Sequence, residues 1–365
     1  MKLPSNPRAG DAEPGGGANE TTTAPAPLTF PVDIPASAHD MAIAELRRLL
    51  GAWSQHEPGA RRGDDAEALH QLRVTARRID ATLGLFKRQL PADLLRARKT
   101  TKGVLRSLGA ARDLDVQLAE LAHYGEKLPE RERSAIEPLR LRLESERERA
   151  RARMVRGLDS EATRHWLETL SLAGAERGEY GGELTLAVLP ERVRRRFRKL
   201  RKAVNNLRGK SSMEEYHEVR RRAKQLRYAI ECGAALFGKP ADETLKALRR
   251  LQDRLGVHQD AHMAQNRLTA LAADPQSGLP PATLFLMGRL AEQHARLTTQ
   301  ARDTLARSWR KLRGRRWKAL RARLQQLSDY AAAAVKPPVT SSTLATAALD
   351  GAATANEPDV RPLKH

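Results

Sequence analysis

The stretch Leu69-His70-Gln71-Leu72-Arg73-Val74-Thr75-Ala76-Arg77-Arg78-Ile79 decides the fold, because two periodic patterns run through it. Its apolar residues recur at helical spacing, and the pattern continues to Leu83 and Phe86. A histidine and several arginines return to a second face after steps of three and four residues. The stretch therefore predicts an amphipathic helix that buries one face and carries a ladder of positive charge on another.

Helical patterning extends along most of the chain. Leu, Ala, Arg, Glu and Gln dominate, all good helix formers, and alternating β-branched stretches are missing. We therefore predict an all-α protein. The predicted helices cover residues 36–56, 64–88, 92–108, 112–125, 129–157, 159–171, 188–206, 212–236, 241–255, 259–272 and 281–330, the last broken near Gly314.

The two ends and one internal break divide the chain. Residues 1–35 and 331–365 are rich in Pro, Gly, Ala, Ser and Thr and poor in large apolar side chains, which predicts disordered tails. A glycine-rich linker at 172–187 divides the helical domain 36–330 into halves of 36–171 and 188–330.

The charge is concentrated in the helical domain. The tails carry net charges of −2 and 0, so the +21 of the whole chain becomes +23 over residues 36–330. Such an excess favours an acidic partner, which could be a nucleic acid, an anionic membrane surface or another polyanion.

Several classes of protein are excluded by composition. Cys232 is the only cysteine, so an intramolecular disulfide framework and a Cys-rich zinc module are ruled out. No apolar run is long enough to span a membrane, and residues 1–17 lack the apolar core of a secretory signal. The sequence predicts a cytoplasmic protein.

The halves contain a weak internal repeat. Shifting residues 69–121 by 147 aligns them with residues 216–268 without a gap, and 8 of the 53 positions are identical. The shared residues are mainly polar or turn-forming, since His70 meets His217, Arg73 meets Arg220 and Asp113 meets Asp260. We therefore interpret the two halves as a duplication.

The repeat gives two basic ladders. They comprise His70, Arg73, Arg77 and Arg78 in the first half, and His217, Arg220, Arg221, Lys224 and Arg227 in the second. Like charges one turn apart on a helix repel, so a ladder is unfavourable unless something negative lies along it. The alternative is a solvated basic face whose arginine stems cover the core.

A second basic set follows on the next predicted helix of each half. It comprises Lys99, Lys102 and Arg106, and Lys246, Arg249 and Arg250. Antiparallel packing of the paired helices would bring both stripes to one groove. The segments Leu108-Gly109 and Leu255-Gly256, each followed by an aspartate, predict helix–turn–helix joints with a left-handed glycine and an acidic first turn.

These motifs resemble the CHAD family, a histidine-bearing α-helical domain often found beside triphosphatase modules. The resemblance rests on Leu69-His70-Gln71-Leu72-Arg73-Val74-x-x-Arg77-Arg78 with Leu108-Gly109-x-x-Arg112-Asp113-x-Asp115-Val116, and on His217-x-x-Arg220-x-x-x-Lys224-Gln225-Leu226-Arg227-Tyr228-x-x-Glu231 with Leu251-Gln252-Asp253-x-Leu255-Gly256-x-x-x-Asp260. It implies two pseudo-symmetric helical bundles around a central basic groove or pore. It also implies binding of inorganic polyphosphate and residence on polyphosphate granules. Asp80 departs from the family pattern, which usually has another arginine there.

The sequence gives little support for catalysis. Gly209-Lys210-Ser211 lacks the earlier glycine of a phosphate loop, and His258-x3-His262 lacks an acidic third metal ligand. We expect no enzymatic activity, no cofactor and no metal. His70 and His217 should have lowered pKa values beside arginines, and we expect them to contact the ligand.

Two other functions remain open at this point. The charge also allows a nucleic-acid-binding protein, although aromatic residues make up only 4% of the chain, too few for a stacking platform. The third hypothesis is a phosphohydrolase or its regulatory subunit. The oligomeric state and the length of the preferred polyphosphate are not fixed by the sequence.

Overall fold

Helices form the regular structure of residues 37–63, 65–173, 183–208 and 211–335, which are those that the computed structural model describes. They are α1 (Ala38–Arg62), α2 (Ala66–Leu85), α3 (Ala92–Glu126), α4 (Glu130–Arg133), a 3₁₀ turn (Ser134–Ile136), α5 (Glu137–Asp159), α6 (Glu161–Leu172), α7 (Thr185–Asn206), α8 (Met213–Cys232), α9 (Ala234–Phe237), α10 (Lys239–Ala273), α11 (Pro281–Lys311), a π turn (Leu312–Arg316) and α12 (Trp317–Val335). The all-α class is thus confirmed. The tail 1–35, most of the tail 331–365 and much of the linker 172–187 lie outside the described residues.

Polar side chains begin several helices. The Asp65 side chain accepts a hydrogen bond from the Glu67 backbone N–H at 2.8 Å and caps α2. Ser212 and Glu215 cap α8 reciprocally, each side chain bonding the other residue's backbone N–H. These caps fix where the two ladder-bearing helices start.

The helices pack in two groups that meet at α2 and α8. In the first group, α2 packs on α1 and α3, and α3 packs on α5 and α6. In the second, α8 packs on α7 and α10, α10 packs on α11, and α7 packs on α12. Contacts between α2 and α8, and between α1 and α7, join the groups. The two ladder-bearing helices therefore lie beside each other.

Each ladder-bearing helix buries its apolar face, as the periodicity predicts. The buried residues include Leu69, Leu72, Ala76, Ile79 and Leu83 on α2, and Val219, Ala223, Leu226 and Ile230 on α8. Burying such side chains is the main stabilising contribution. It leaves the charged faces of both helices turned away from the core.

A pair of tryptophans joins three helices in the first group. Trp53 of α1 and Trp166 of α6 meet edge to face with ring centroids 5.1 Å apart, and both are 1% exposed. The indole N–H of Trp166 donates to the Thr101 hydroxyl of α3 at 2.9 Å. The hydroxyl of Thr101 in turn donates to the Ala97 carbonyl at 3.1 Å, so every polar atom of this contact has a partner.

The predicted joints at Leu108-Gly109 and Leu255-Gly256 are wrong. Gly109 and Gly256 lie inside α3 and α10, which run unbroken for 35 residues each. A single helical glycine costs only about 1 kcal/mol relative to alanine, which flanking helix formers and tertiary packing override. Adding 147 to the bounds of α2 and α3 gives the bounds of α8 and α10.

The predicted break near Gly314 is confirmed. Gly314 has a non-helical ψ of −135° within the π turn, and α12 then continues to Val335, beyond the predicted end at 330. Trp309 and Trp317 flank the break and both stack on Phe197 of α7, with centroids 5.7 and 3.6 Å away. Among the described residues, no helix is long and apolar enough to cross a membrane.

Candidate anion-binding site

Helices α2, α3, α5, α7, α8 and α10 surround a cavity of about 1570 Å³. Seventeen Lys and Arg side chains line it, against five Asp and Glu side chains. A concave surface with one sign of charge focuses its field inward and attracts ions of the opposite sign. The cavity therefore suits an anionic ligand.

Four cations from α2 and α8 form the centre of this surface. We call Arg73, Arg77, Arg220 and Lys224 the four-cation cluster, and all four line the cavity. The Nε atoms of the three arginines are buried and have no hydrogen-bond partner among the described residues. Buried donors without partners are uncommon in folded proteins, and an unbound anion or water is one reason for them.

Burial and mutual repulsion shift the pKa values in this cluster. Burial, and then the nearby Arg77, Arg220 and Arg73, lower the pKa of the Lys224 ammonium to about 6. Burial, followed by the charge of Arg77, also lowers the pKa of Arg73. The cations of the cluster therefore repel one another in the free protein, and a bound anion would reduce this repulsion.

The histidine at the start of the first ladder also behaves as predicted. The pKa of His70 is lowered, mainly by burial, with Glu67 opposing the shift and the charges of Arg112, Arg73 and Arg77 adding to it. Its imidazole is half-buried in the cavity wall. His217 lines the same cavity and is exposed.

The aspartates of the predicted joints contact the ladder arginines instead of capping a helix. Asp113 lies 3.7 Å from Arg73, and Asp260 lies 3.1 Å from Arg220, at matched positions of the two halves. Because α3 and α10 are continuous, these aspartates sit in helix interiors and hold the guanidinium groups by charge.

The glycines of the same motifs lie beside those guanidinium groups. A Cβ atom added at Gly109 would lie 3.4 Å from the Arg73 guanidinium, and one at Gly256 would lie 3.8 Å from that of Arg220, both at ordinary van der Waals distance. The arginines therefore run alongside α3 and α10 at these motifs, but the space there does not by itself require glycine.

The structure places the predicted site residues in two sets. Those that line the cavity are His70, Arg73, Arg77, Lys102, His217, Arg220, Arg221 and Lys224. Those that do not are Arg78, Lys99, Arg106, Arg227, Lys246, Arg249 and Arg250. Residues three and four positions apart share one side of a helix, but that side is wider than the part that faces the cavity. The residues at its edges therefore point away from the cavity.

Three of the residues outside the cavity gather around one carboxylate. Glu231 lies 3.5 Å from Arg227, 3.7 Å from Arg78 and 3.7 Å from Arg249. Its side chain is 19% exposed, so this group joins α2, α8 and α10 in a partly buried network. The sequence does not show that Glu231 faces these arginines, and their contact with an anion stays a prediction.

Asp80, the departure from the family pattern, lines the cavity and neutralises a neighbour. Its Oδ1 atom accepts a hydrogen bond from Arg98 Nε at 2.7 Å, which joins α2 to α3. The substitution therefore removes one cation from the first ladder and offsets a second.

Sequence reasoning missed all the cavity-lining cations contributed by α5 and α7. Arg195, Arg196 and Lys199 of α7 line the cavity, and Arg196 donates to the Gln225 carbonyl of α8 at 2.6 Å. Burial, followed by the charges of Arg192 and Arg195, lowers the pKa of Arg196 to about 10. The run Arg194-Arg195-Arg196 was the available signal, but it lies outside the segments that the repeat aligns.

The helix α5 adds Arg142, Arg149 and Arg153 to the opposite wall. Glu146 of the same helix lies between them and forms an ion pair with Arg267 of α10 across the halves. These residues sit in a segment dense in both charges, where sequence alone does not show which cations remain unpaired.

The histidine pair at 258 and 262 does not build a metal centre. His258 accepts a hydrogen bond from Arg302 Nε at 3.0 Å, and burial, followed by Arg302, lowers its pKa to about 4. Within the described residues, no group of three or more His, Cys, Asp or Glu side chains is arranged to hold a metal ion. Gly209 and Lys210 lie outside these residues.

Comparison with solved structures gives the same fold. A protein named PptA from Streptomyces chartreusis is similar with a TM-score of 0.58 and 20% identity, over 76% of this chain and 100% of that one. A CHAD domain from the plant Ricinus communis is similar with a TM-score of 0.57 and 23% identity, over 80% of this chain and 93% of that one.

Sequence comparison finds relatives in Mycobacterium tuberculosis. Uncharacterised proteins of its strains CDC 1551 and H37Rv are each 29% identical over 310 residues, covering 80% of this chain. The aligned part makes up 56% of those proteins, so the chain spans about half the length of the curated relatives it matches.

A family model also matches the sequence directly. The match covers residues 44–269, from the middle of α1 almost to the end of α10. It includes both ladder-bearing helices and both Leu-Gly-x-x-x-Asp motifs, and together with the helical fold it shows that this chain belongs to the CHAD domain family.

Proposed function

We propose that the chain binds inorganic polyphosphate in the cavity without chemically altering it. The observation that carries the proposal is the four-cation cluster, in which three buried arginine Nε atoms lack partners and a lysine is driven toward its neutral form. A chain of phosphates offers repeated negative charges that arginine forks and a lysine point charge can each meet. The family association with polyphosphate agrees with this reading.

We further propose that the two halves are a duplicated unit whose ladders bind one continuous ligand. The bounds of α2 and α3 match those of α8 and α10 after a shift of 147, and Arg73–Asp113 corresponds to Arg220–Asp260. Equivalent cations then meet the polymer from both sides. Residence on polyphosphate granules would follow from this binding.

Competition between polymers tests the assignment. We expect long-chain polyphosphate to be retained at 150 mM salt and to stay bound when duplex DNA is added at equal phosphate concentration. Retention should fall steeply with added salt because binding releases counterions. Displacement of polyphosphate by the duplex would favour the nucleic-acid reading, and release of phosphate in the presence of divalent metal would favour a phosphohydrolase.

The binding affinity should depend on pH through Lys224. Its pKa is about 6 in the free protein, and a bound phosphate chain would raise it, so binding takes up a proton above pH 6. We expect polyphosphate affinity to fall by about tenfold or more between pH 6 and pH 8. In the Lys224→Arg variant, which stays charged, at least half of this change in log Kd should disappear.

Isothermal titration in two buffers of different ionisation enthalpy measures the proton uptake directly. The His70→Gln variant is the matched control, since it removes the other cavity group whose pKa is lowered. A pH dependence that persists in Lys224→Arg but vanishes in His70→Gln would contradict the role given to Lys224.

A further inference from the structure

The break between α11 and α12 carries a second basic surface. We define the kink patch as Arg310, Lys311, Arg313, Arg315, Lys318 and Arg321, all of them exposed around Gly314. No Asp or Glu occurs in the sequence from residue 304 to residue 328. The patch therefore has no acidic residue nearby along the chain.

The described residues offer the kink patch no acidic partner in space either. None of its six side chains forms an ion pair with another described residue. Some exposed arginines elsewhere among the described residues do have one, as Arg48 has with Glu45 and Arg296 with Glu292. The nearest pairing lies at the border of the patch, where Arg316 is 3.9 Å from Glu243.

The position of these cations is locally unfavourable. Arg315 and Lys318 flank the start of α12, where the positive end of the helix dipole disfavours positive charge. Lys318 and Arg321 also lie one turn apart on α12 and repel each other. Charges that are unfavourable for the helix dipole and for neighbouring side chains are expected where a function requires them.

The kink patch is separate from the cavity. None of its residues lines the cavity, and the patch lies beyond residues 44–269, which match the CHAD family. It is anchored through Arg316, whose carbonyl accepts a hydrogen bond from Thr244 of α10. A ligand on the patch would therefore leave the four-cation cluster free.

The aromatic residues beside the patch are occupied in the core. Trp309 and Trp317 are 5% and 8% exposed and stack on Phe197, and Leu312 is fully buried. Membrane-surface helices need exposed apolar side chains beside their cations, and single-strand binders need exposed rings for base stacking. Neither is present at the patch, so a partner must be recognised by its charge.

We propose that the kink patch binds the phosphate backbone of duplex nucleic acid, without sequence preference, while the cavity holds polyphosphate. A duplex presents dense, regularly spaced phosphates on a rigid surface and needs no stacking contact. It is also too thick to enter a cavity of about 1570 Å³, whereas the patch is open. Binding of the duplex to the kink patch does not depend on the proposed function. Only simultaneous binding of a duplex and of polyphosphate by one protein molecule rests on the proposed function.

Charge neutralisation at the patch tests this inference in the full chain. The patch variant is Arg313→Gln, Arg315→Gln and Lys318→Gln. The control variant removes the same charge from exposed residues outside both surfaces, by Lys127→Gln, Arg131→Gln and Arg164→Gln. Fluorescence polarisation with a labelled 30-base-pair duplex measures affinity from 100 to 300 mM salt.

We expect the patch variant to bind the duplex about tenfold or more weakly at 150 mM salt, with a log–log salt slope lower by about 2–3. The control variant should change affinity less than about twofold, and both should retain polyphosphate as wild type does. Equal losses of duplex affinity in the two variants would mean that the net charge of the protein, and not the position of the patch, determines binding, and this would overturn the proposal. So would weaker polyphosphate retention with unchanged duplex binding, which would assign the patch to polyphosphate.

Discussion

Replacing the four-cation cluster with glutamines is expected to weaken polyphosphate binding by about 100-fold or more at 150 mM salt. The changes are Arg73→Gln, Arg77→Gln, Arg220→Gln and Lys224→Gln. Each lost phosphate contact would remove one released counterion, and all four side chains line the cavity. The slope of log affinity against log salt should fall by about 3. Retention on immobilised long-chain polyphosphate across a salt series measures both quantities.

Glutamine keeps the side-chain stems that cover the core, and it relieves the repulsion within the cluster. We therefore expect the variant to fold and to unfold at a temperature no lower than that of the free wild type. A charge-matched control replaces Lys127, Arg131, Arg156 and Arg164, which are exposed and do not line the cavity. Similar retention by the cluster variant and the wild type would refute the binding site.

The replacement Trp166→Ala is expected to lower the free energy of unfolding by about 3–5 kcal/mol. The indole is 1% exposed, meets Trp53 edge to face, and donates to Thr101 in a contact that joins α1, α3 and α6. Its removal leaves a large cavity in the first group of helices. Urea unfolding followed by far-ultraviolet circular dichroism measures the change.

The variant Trp166→Phe is a milder change at the same position. It keeps one aromatic ring but loses the N–H donor and part of the buried indole, so the expected loss is smaller than that of Trp166→Ala, about 2–3 kcal/mol. Thr101 still donates to Ala97 in both variants. A loss below about 1 kcal/mol in Trp166→Ala would mean that the two tryptophans do not hold these helices together.

The fold class and the ladder-bearing helices could be predicted from the sequence, because helical periodicity depends on residues close together in the chain. A glycine also marked the break at Gly314 correctly. The same signal failed at Gly109 and Gly256, where a glycine was taken for a helix end although α3 and α10 continue through it. Whether a helix continues through a glycine depends on packing against distant parts of the chain, and no local pattern contains that information.

The candidate site was predicted only in part for a related reason. A helix stripe shows which residues share a face, but it does not show what the face meets. Arg78, Arg227 and Arg249 share stripes with residues of the cavity, yet they surround Glu231. Arg196 lies in the cavity wall because α7 packs against α8, a contact between helices that periodicity does not reveal.

The cavity carries an excess of positive charge, so a bound polyanion would stabilise the native protein and extend its lifetime. Any molecule that binds only the native state stabilises it by RT ln(1 + [L]/Kd), which is about 2.7 kcal/mol at a hundredfold excess over Kd. Copies that hold polymer would then unfold less often than empty copies and would be degraded more slowly. The amount of the protein would follow the supply of its polymer, even with constant synthesis.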